Sequence, residues 1–167
     1  ILPKDYKNDA LDDSKRLSEK KRIELKSIIE NDAIDFAVCS VSPATIDKIN
    51  ILNSTFKAMH SALNNLNIIP DFIVVDGNKF KKFKNIDYKC IVKGDCKYQN
   101  IAAASILAKT YRDLYMIKQH DRFPYFGWDK NKGYGTELHI NSIFKHGLTV
   151  LHRKSFIIKK SQIKLEL

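Results

Sequence analysis

At 167 residues with 44% apolar content, the chain is long enough for one domain with a sizeable core and too short for two ordinary ones. Its 29 Lys and Arg against 19 Asp and Glu give a formal charge of +10, a field that draws polyanions, although a solvated Lys-rich surface has the same balance. Cys39, Cys90 and Cys96 match neither a zinc framework nor a disulfide scaffold, no apolar run is long enough to span a bilayer, and no secretory signal opens the chain, so a cytoplasmic protein without membrane attachment is expected.

Ile1-Leu2-Pro3 is an apolar pair followed by a breaker and reads as the end of a strand whose chain continues upstream. The polar stretch from Asp5 to Ser18, centred on Asp12-Asp13-Ser14-Lys15, predicts an ordered loop, with Ser18 as helix N-cap. Ile23, Ile28 and Ile29 among Lys and Glu then predict a solvent-facing amphipathic helix to about Asn31. Phe36 to Val41 reads as a buried strand. Ser42-Pro43 opens a long helix that carries Ile46, Ile49, Phe56, Met59 and Leu63 and ends near Asn67.

Asp71 to Gly77 is an apolar run closed by Asp76 and a glycine, as where a core strand meets a loop. Tyr88 to Val92 is a second strand, running into Lys93-Gly94-Asp95. From Asn100 the small helix formers predict a helix with Ala103, Ile106, Leu107, Leu114 and Ile117 on its buried stripe. A further helix is expected from Glu137 to Lys145, before a basic C-terminus. Phe123, Tyr125, Phe126 and Trp128 suit a satellite core better than a base-stacking strip. Asp113 is expected to pair with Lys109 at helical spacing.

Strands alternating with helices imply an α/β sheet, in which chemistry gathers at strand carboxyl ends. Asp76 and Asp95 both fall there and could share a divalent cation. A strand-terminal Asp is more often a loop or helix cap, so this pattern alone does not decide.

Seven ordered blocks go further. They are Leu11 to Ser18, Ile49 to Leu52, Val75-Asp76-Gly77-Asn78, Val92-Lys93-Gly94-Asp95, Ile101 to Lys109, Lys132-Gly133-Tyr134-Gly135-Thr136 and His152-Arg153-Lys154-Ser155-Phe156. In this order they resemble the bacterial ribonuclease HII family over almost the whole chain. The resemblance implies a ribonuclease H-like fold, a mixed sheet flanked by helices, with the first strand and most of the second absent from this chain. Residues 1–167 are then a single domain of that kind.

The resemblance also implies an endonuclease that hydrolyses the RNA strand of RNA/DNA hybrids and incises at ribonucleotides embedded in DNA. Two Mg²⁺ or Mn²⁺ ions would be the cofactors, with 3′-hydroxyl and 5′-phosphate ends as products. Asp76 and Asp95 match the third and fourth metal-binding acids of the family. The first two belong to an Asp-Glu-Ala-Gly-Arg-Gly block that nothing here matches, and it is expected upstream. Asp9, Asp12 and Asp13 lie nearest as substitutes, but none is assigned a metal. Tyr134 resembles the tyrosine that stacks on the sugar beside the ribonucleotide, against the plainer reading of a turn tyrosine. Lys15, Lys93 and Asn50 resemble positions that contact the substrate backbone, where cations and amides hold phosphates. His152 and Arg153 resemble an element of structural role.

The expected partners are an RNA/DNA hybrid or a DNA duplex with an embedded ribonucleotide, bound by a monomer. The competing readings are a non-catalytic nucleic-acid-binding module or relic lacking the first two acids, and a basic ribosome-associated protein. The last explains the charge but not Asp76 and Asp95.

Overall fold

Helix α1 (Glu19–Asp32) starts where the sequence supplies a cap: the Ser18 hydroxyl accepts the Lys21 backbone N–H at 3.2 Å, and Glu19 complements the positive helix start. Its buried residues are Leu25 and Ile29, one turn apart, while Ile23 falls on the opposite side and is 42% exposed. The expected stripe through Ile23 is therefore corrected to one through Leu25. The computed structural model describes residues 1–156, so the end of the basic C-terminus and of the expected 1–167 domain lie outside the described residues.

Helix α2 (Pro43–Asn64) is not the continuous rod that its apolar spacing suggests. Asn50 has φ 63° and ψ 169°, and its side-chain oxygen accepts the Asn53 N–H at 3.0 Å, so it ends one helical segment and caps the next. Strands β1 (Phe72–Asp76) and β2 (Asp87–Ile91) pair in parallel with Asp76 opposite Ile91. Alternation along β1 buries Ile73 and Val75, which pack with Phe83 against Met59, Leu63, Phe80 and Ile86. Among the described residues the sheet is this parallel pair alone, where a mixed sheet was expected.

Residues Phe36 to Val41, expected to be a buried strand, take no regular secondary structure and form no ladder, and Val38 is 37% exposed. The reason is the lack of a partner. The nearby Ile34 N–H donates to the Ile1 carbonyl at 2.9 Å and the Ile1 amino group to the Asp35 carbonyl at 2.7 Å, but among the described residues no such ladder continues through Phe36 to Val41.

Helix α3 (Gln99–His120) buries Ala103, Ile106 and Leu107 in a cluster with Leu2, Leu25 and Ile29. The expected stripe does not continue through Leu114, which is 39% exposed; the buried neighbour is Asp113, whose carboxylate takes the Arg112 guanidinium at 3.4 Å. The short helix α4 (Trp128–Asn131) and α5 (Glu137–His146) follow, α5 capped by the Thr136 hydroxyl. Phe126 and Trp128 stack with ring centres 5.0 Å apart and are fully buried, which makes the aromatic run a satellite core.

The chain divides into two compact units, residues 1–40 with 56–111, and residues 41–55 with 112 onward. Asp76, Asp95, Lys15 and Lys93 belong to the first, and Asn50 and Tyr134 to the second.

Candidate functional site

In the first unit the two predicted acids sit on one rim. The β1–β2 register is extended by the Gly77 N–H, which donates to the Ile91 carbonyl at 3.0 Å. Asp76 ends β1 with an exposed side chain, and its carboxylate accepts the Gly94 N–H at 2.9 Å, which ties the strand end to the turn that bears Asp95. Gly94 is buried, and a Cβ there would stand 2.5 Å from Ile101 Cδ1 and 3.4 Å from Ile91 Cβ, so the absence of a side chain lets this turn close onto α3. Asp95 is the middle residue of a single 3₁₀ turn, Gly94–Cys96, and its carboxylate accepts the Cys96 N–H at 3.1 Å. Lys93, just before it, is exposed with φ 55°.

The loop of Asp12, Asp13, Ser14 and Lys15 is fixed from within. Asp13 accepts the Lys15 N–H at 2.9 Å, the buried Ser14 hydroxyl meets that of Ser105 on α3 at 2.9 Å, and Arg22 donates to the Ser14 carbonyl at 3.1 Å. The acid and the serine therefore shape the loop, and the Lys15 ammonium is left exposed to solvent. Desolvation, then the charges of Asp95, Asp12 and Asp13, push the Cys96 thiol above its ordinary range, so this acidic loop is felt at the rim.

Two carboxylates are hard oxygen donors that suit Mg²⁺ or Mn²⁺ and not a thiophilic ion. They fill only part of the shell that a pair of dications needs, and among the described residues no group of three or more acidic, His or Cys side chains converges.

In the second unit Tyr134 is 54% exposed and the Arg112 guanidinium lies 4.9 Å from its ring centre. The loop behind it is fastened at several points. Asn131 accepts the Gly133 N–H on its side chain and the Tyr134 N–H on its carbonyl, both at 2.8 Å, and its own amide donates to the Phe126 carbonyl at 2.7 Å. Gly133 has φ 80°, which a side chain would strain. The Lys132 ammonium turns inward onto the Asp129 carbonyl. Beneath, His139 Nδ1 lies 2.9 Å from the Tyr134 carbonyl, and its Nε2 is 3.1 Å from both Trp128 Nε1 and His152 Nε2. Burial pushes the His139 imidazole below its ordinary pKa, and burial together with nearby His139 pushes His152 down to about 4.

Asn50 is exposed at its helix break. On the same segment Asp47 accepts the backbone N–H groups of Lys154 and Ser155, each at 2.9 Å, and holds the His152–Phe156 element. Arg153 lies over the Phe156 ring at 3.6 Å, and its pKa is lowered by burial and then by Arg112.

Arg112, His139 and Asp47 escaped sequence reasoning. Arg112 could have been found from its place one turn beyond Lys109 on a helix otherwise rich in small residues, whereas the partners of Asp47 lie more than a hundred residues away and leave no local signal.

The family described as Ribonuclease HII matches residues 3–159. A Ribonuclease HII of Bacteroides fragilis is 54% identical over 156 residues, covering 93% of this chain and 78% of that protein. One from Christiangramia forsetii is 53% identical over 166 residues, covering 99% of this chain and 84% of its own length. Among solved structures, the ribonuclease H2 of Pyrococcus horikoshii superposes with a TM-score of 0.71 at 26% identity, covering 86% of this chain and 75% of that one.

Proposed function

The chain belongs to the ribonuclease HII family and is a ribonuclease H, and on that premise we propose that it hydrolyses the RNA strand of RNA/DNA hybrids and incises DNA duplexes beside embedded ribonucleotides, leaving 3′-hydroxyl and 5′-phosphate ends. The observation that carries this reading is the 2.9 Å bond from the Gly94 N–H to Asp76, which sets the two strand-end acids of the first unit at one rim. Asp76 and Asp95 supply carboxylate oxygens for Mg²⁺ or Mn²⁺. Such ions, when bound, make water a better nucleophile and offset charge on the leaving 3′ oxygen. Further oxygen donors are needed to complete the shell, and they come from outside the residues that the rim brings together.

The remaining residues bind. The exposed Lys15 and Lys93 ammonium groups and the Asn50 amide hold phosphates of the duplex, while the Tyr134 ring packs on the sugar of the nucleotide next to the ribonucleotide. The formal charge of +10 favours the encounter with a polyanion. The enzyme acts as a monomer in the cytoplasm. A non-catalytic binding module explains the charge, but it leaves the paired acids and the family membership without a role.

The test is Asp76→Asn in the protein expressed from its full reading frame. The amide keeps the shape of the side chain and loses the charge that holds the cation. Mg²⁺-dependent cleavage of a hybrid falls on the order of a hundredfold or more, with hybrid affinity nearly unchanged. Cleavage within a few-fold of the parent removes Asp76 from the essential ligands and this reading with it.

A further inference from the structure

The imidazoles of the second unit form a directional chain whose tautomers follow from their partners. A carbonyl only accepts, so the 2.9 Å contact with the Tyr134 carbonyl places the proton of His139 on Nδ1. In a neutral ring Nε2 is then an acceptor, and it takes the Trp128 indole N–H at 3.1 Å. His152 Nδ1 accepts the Thr149 N–H at 2.9 Å, so the His152 Nε2–H also faces His139 Nε2, 3.1 Å away, and shares that nitrogen's single lone pair with the indole N–H in a three-centre contact. The chain ends on the backbone carbonyl of Tyr134, whose ring is exposed while the side chain of Lys132, two residues before, turns inward. His139 itself is buried beside the Phe126–Trp128 stack and meets the two rings edge-on at 5.9 and 6.0 Å.

We propose that His139 is the positioning residue for Tyr134: held in one tautomer by Trp128 and His152, it fixes the backbone carbonyl from which the Tyr134 ring is presented to the nucleotide beside the ribonucleotide. This rests on the reading of Tyr134 as a substrate contact. His139 does not touch substrate. Its effect is selective, because a single embedded ribonucleotide is found through contacts to its immediate neighbour, whereas a continuous hybrid offers many registers.

The experiment compares kcat/KM on a DNA duplex with one ribonucleotide and on a continuous hybrid, in the protein from its full reading frame, for Tyr134→Ala, His139→Phe, His139→Asn and the Tyr134→Ala/His139→Phe double variant. Tyr134→Ala lowers the ratio of the two by about fivefold or more, the loss of one stacking contact. His139→Phe lowers it by roughly threefold or more through KM, since the ring remains but the donor is gone. His139→Asn, whose amide places a donor where Nδ1 stood, restores the ratio to within about twofold. The double variant is no worse than Tyr134→Ala alone, because the two residues act through one contact.

Additive losses in the double variant, or an Asn no better than a Phe, overturn the proposal while the reading of Tyr134 stands. A ratio unchanged in Tyr134→Ala overturns that reading and the proposal together. If His139→Phe does not fold, His139→Gln carries the same arm, because its amide reaches the Nε2 position and not the Tyr134 carbonyl. An unchanged ratio in His139→Gln then counts against the proposal.

Discussion

The rim of Asp76 and Asp95 and the loop of Tyr134 are built on opposite plans. The rim rests on short backbone links at the end of a parallel strand pair, and the apolar Val92 beside it stays open at 59% exposed. The loop exposes Tyr134, Gly135 and Thr136 and stands on fully buried Phe126 and Trp128 and on buried His139. On the proposed function, carboxylates that hold hard cations need reach and solvent access, and a strand end with a close glycine turn provides both. An aromatic that reads shape needs a fixed height, which comes from packing beneath it.

This contrast can be broken most severely at the base of the loop. Trp128→Ala removes a fully buried ring and the N–H that holds His139, and should destabilise the protein by about 3–5 kcal/mol. Urea unfolding followed by far-UV circular dichroism measures it. A loss under about 1 kcal/mol would mean that the aromatic cluster is not a core.

The rim should break at Gly94 by a smaller amount. A methyl group there meets Ile101 Cδ1 at 2.5 Å, so either that buried side chain or the turn must move, at about 1–3 kcal/mol. Gly94→Ala should also reduce kcat, because the turn that shifts carries Asp95 and the N–H bound to Asp76. Stability and kcat both equal to the parent would show that Ile101 rotates aside and that the closeness of the turn is incidental.

The difference between the regions also explains what could be read from the sequence. The placement of Asp76 and Asp95 beside one another was legible because strand, acid and glycine are neighbours in the chain, and the Ser18 cap because its partner lies three residues on. The Phe36 to Val41 segment misled because a run of apolar residues reports strand propensity, and ladder formation needs a partner that propensity does not contain. Leu114 misled for a related reason: periodicity names a face, while the side chains packed around α3 choose Asp113 for burial. The support beneath Tyr134 was hidden because Trp128, His139 and His152 meet only after the loop has folded back, and nothing in their spacing marks hydrogen bonds between them.

The smallest effect expected is at Asn50, where the backbone itself departs from rule. Its φ of 63° with ψ of 169° lies in a region populated almost only by glycine, and holding a side chain there costs about 1–3 kcal/mol. The cap it provides to Asn53 recovers a few tenths of that relative to glycine. Glycine adds disorder to the unfolded chain worth about 0.5–1 kcal/mol. The balance makes Asn50→Gly stabilising by about 1 kcal/mol, although it removes a side chain and its hydrogen bond. Such strain persists where the side chain is wanted for something other than folding, which on the proposed function is an amide that holds a phosphate. Asn50→Gly should therefore raise the midpoint of urea unfolding and, at fixed salt, weaken binding to a hybrid duplex by a few-fold. A variant less stable than the parent would show that the backbone at residue 50 is not strained, and unchanged affinity would leave Asn50 as a cap alone.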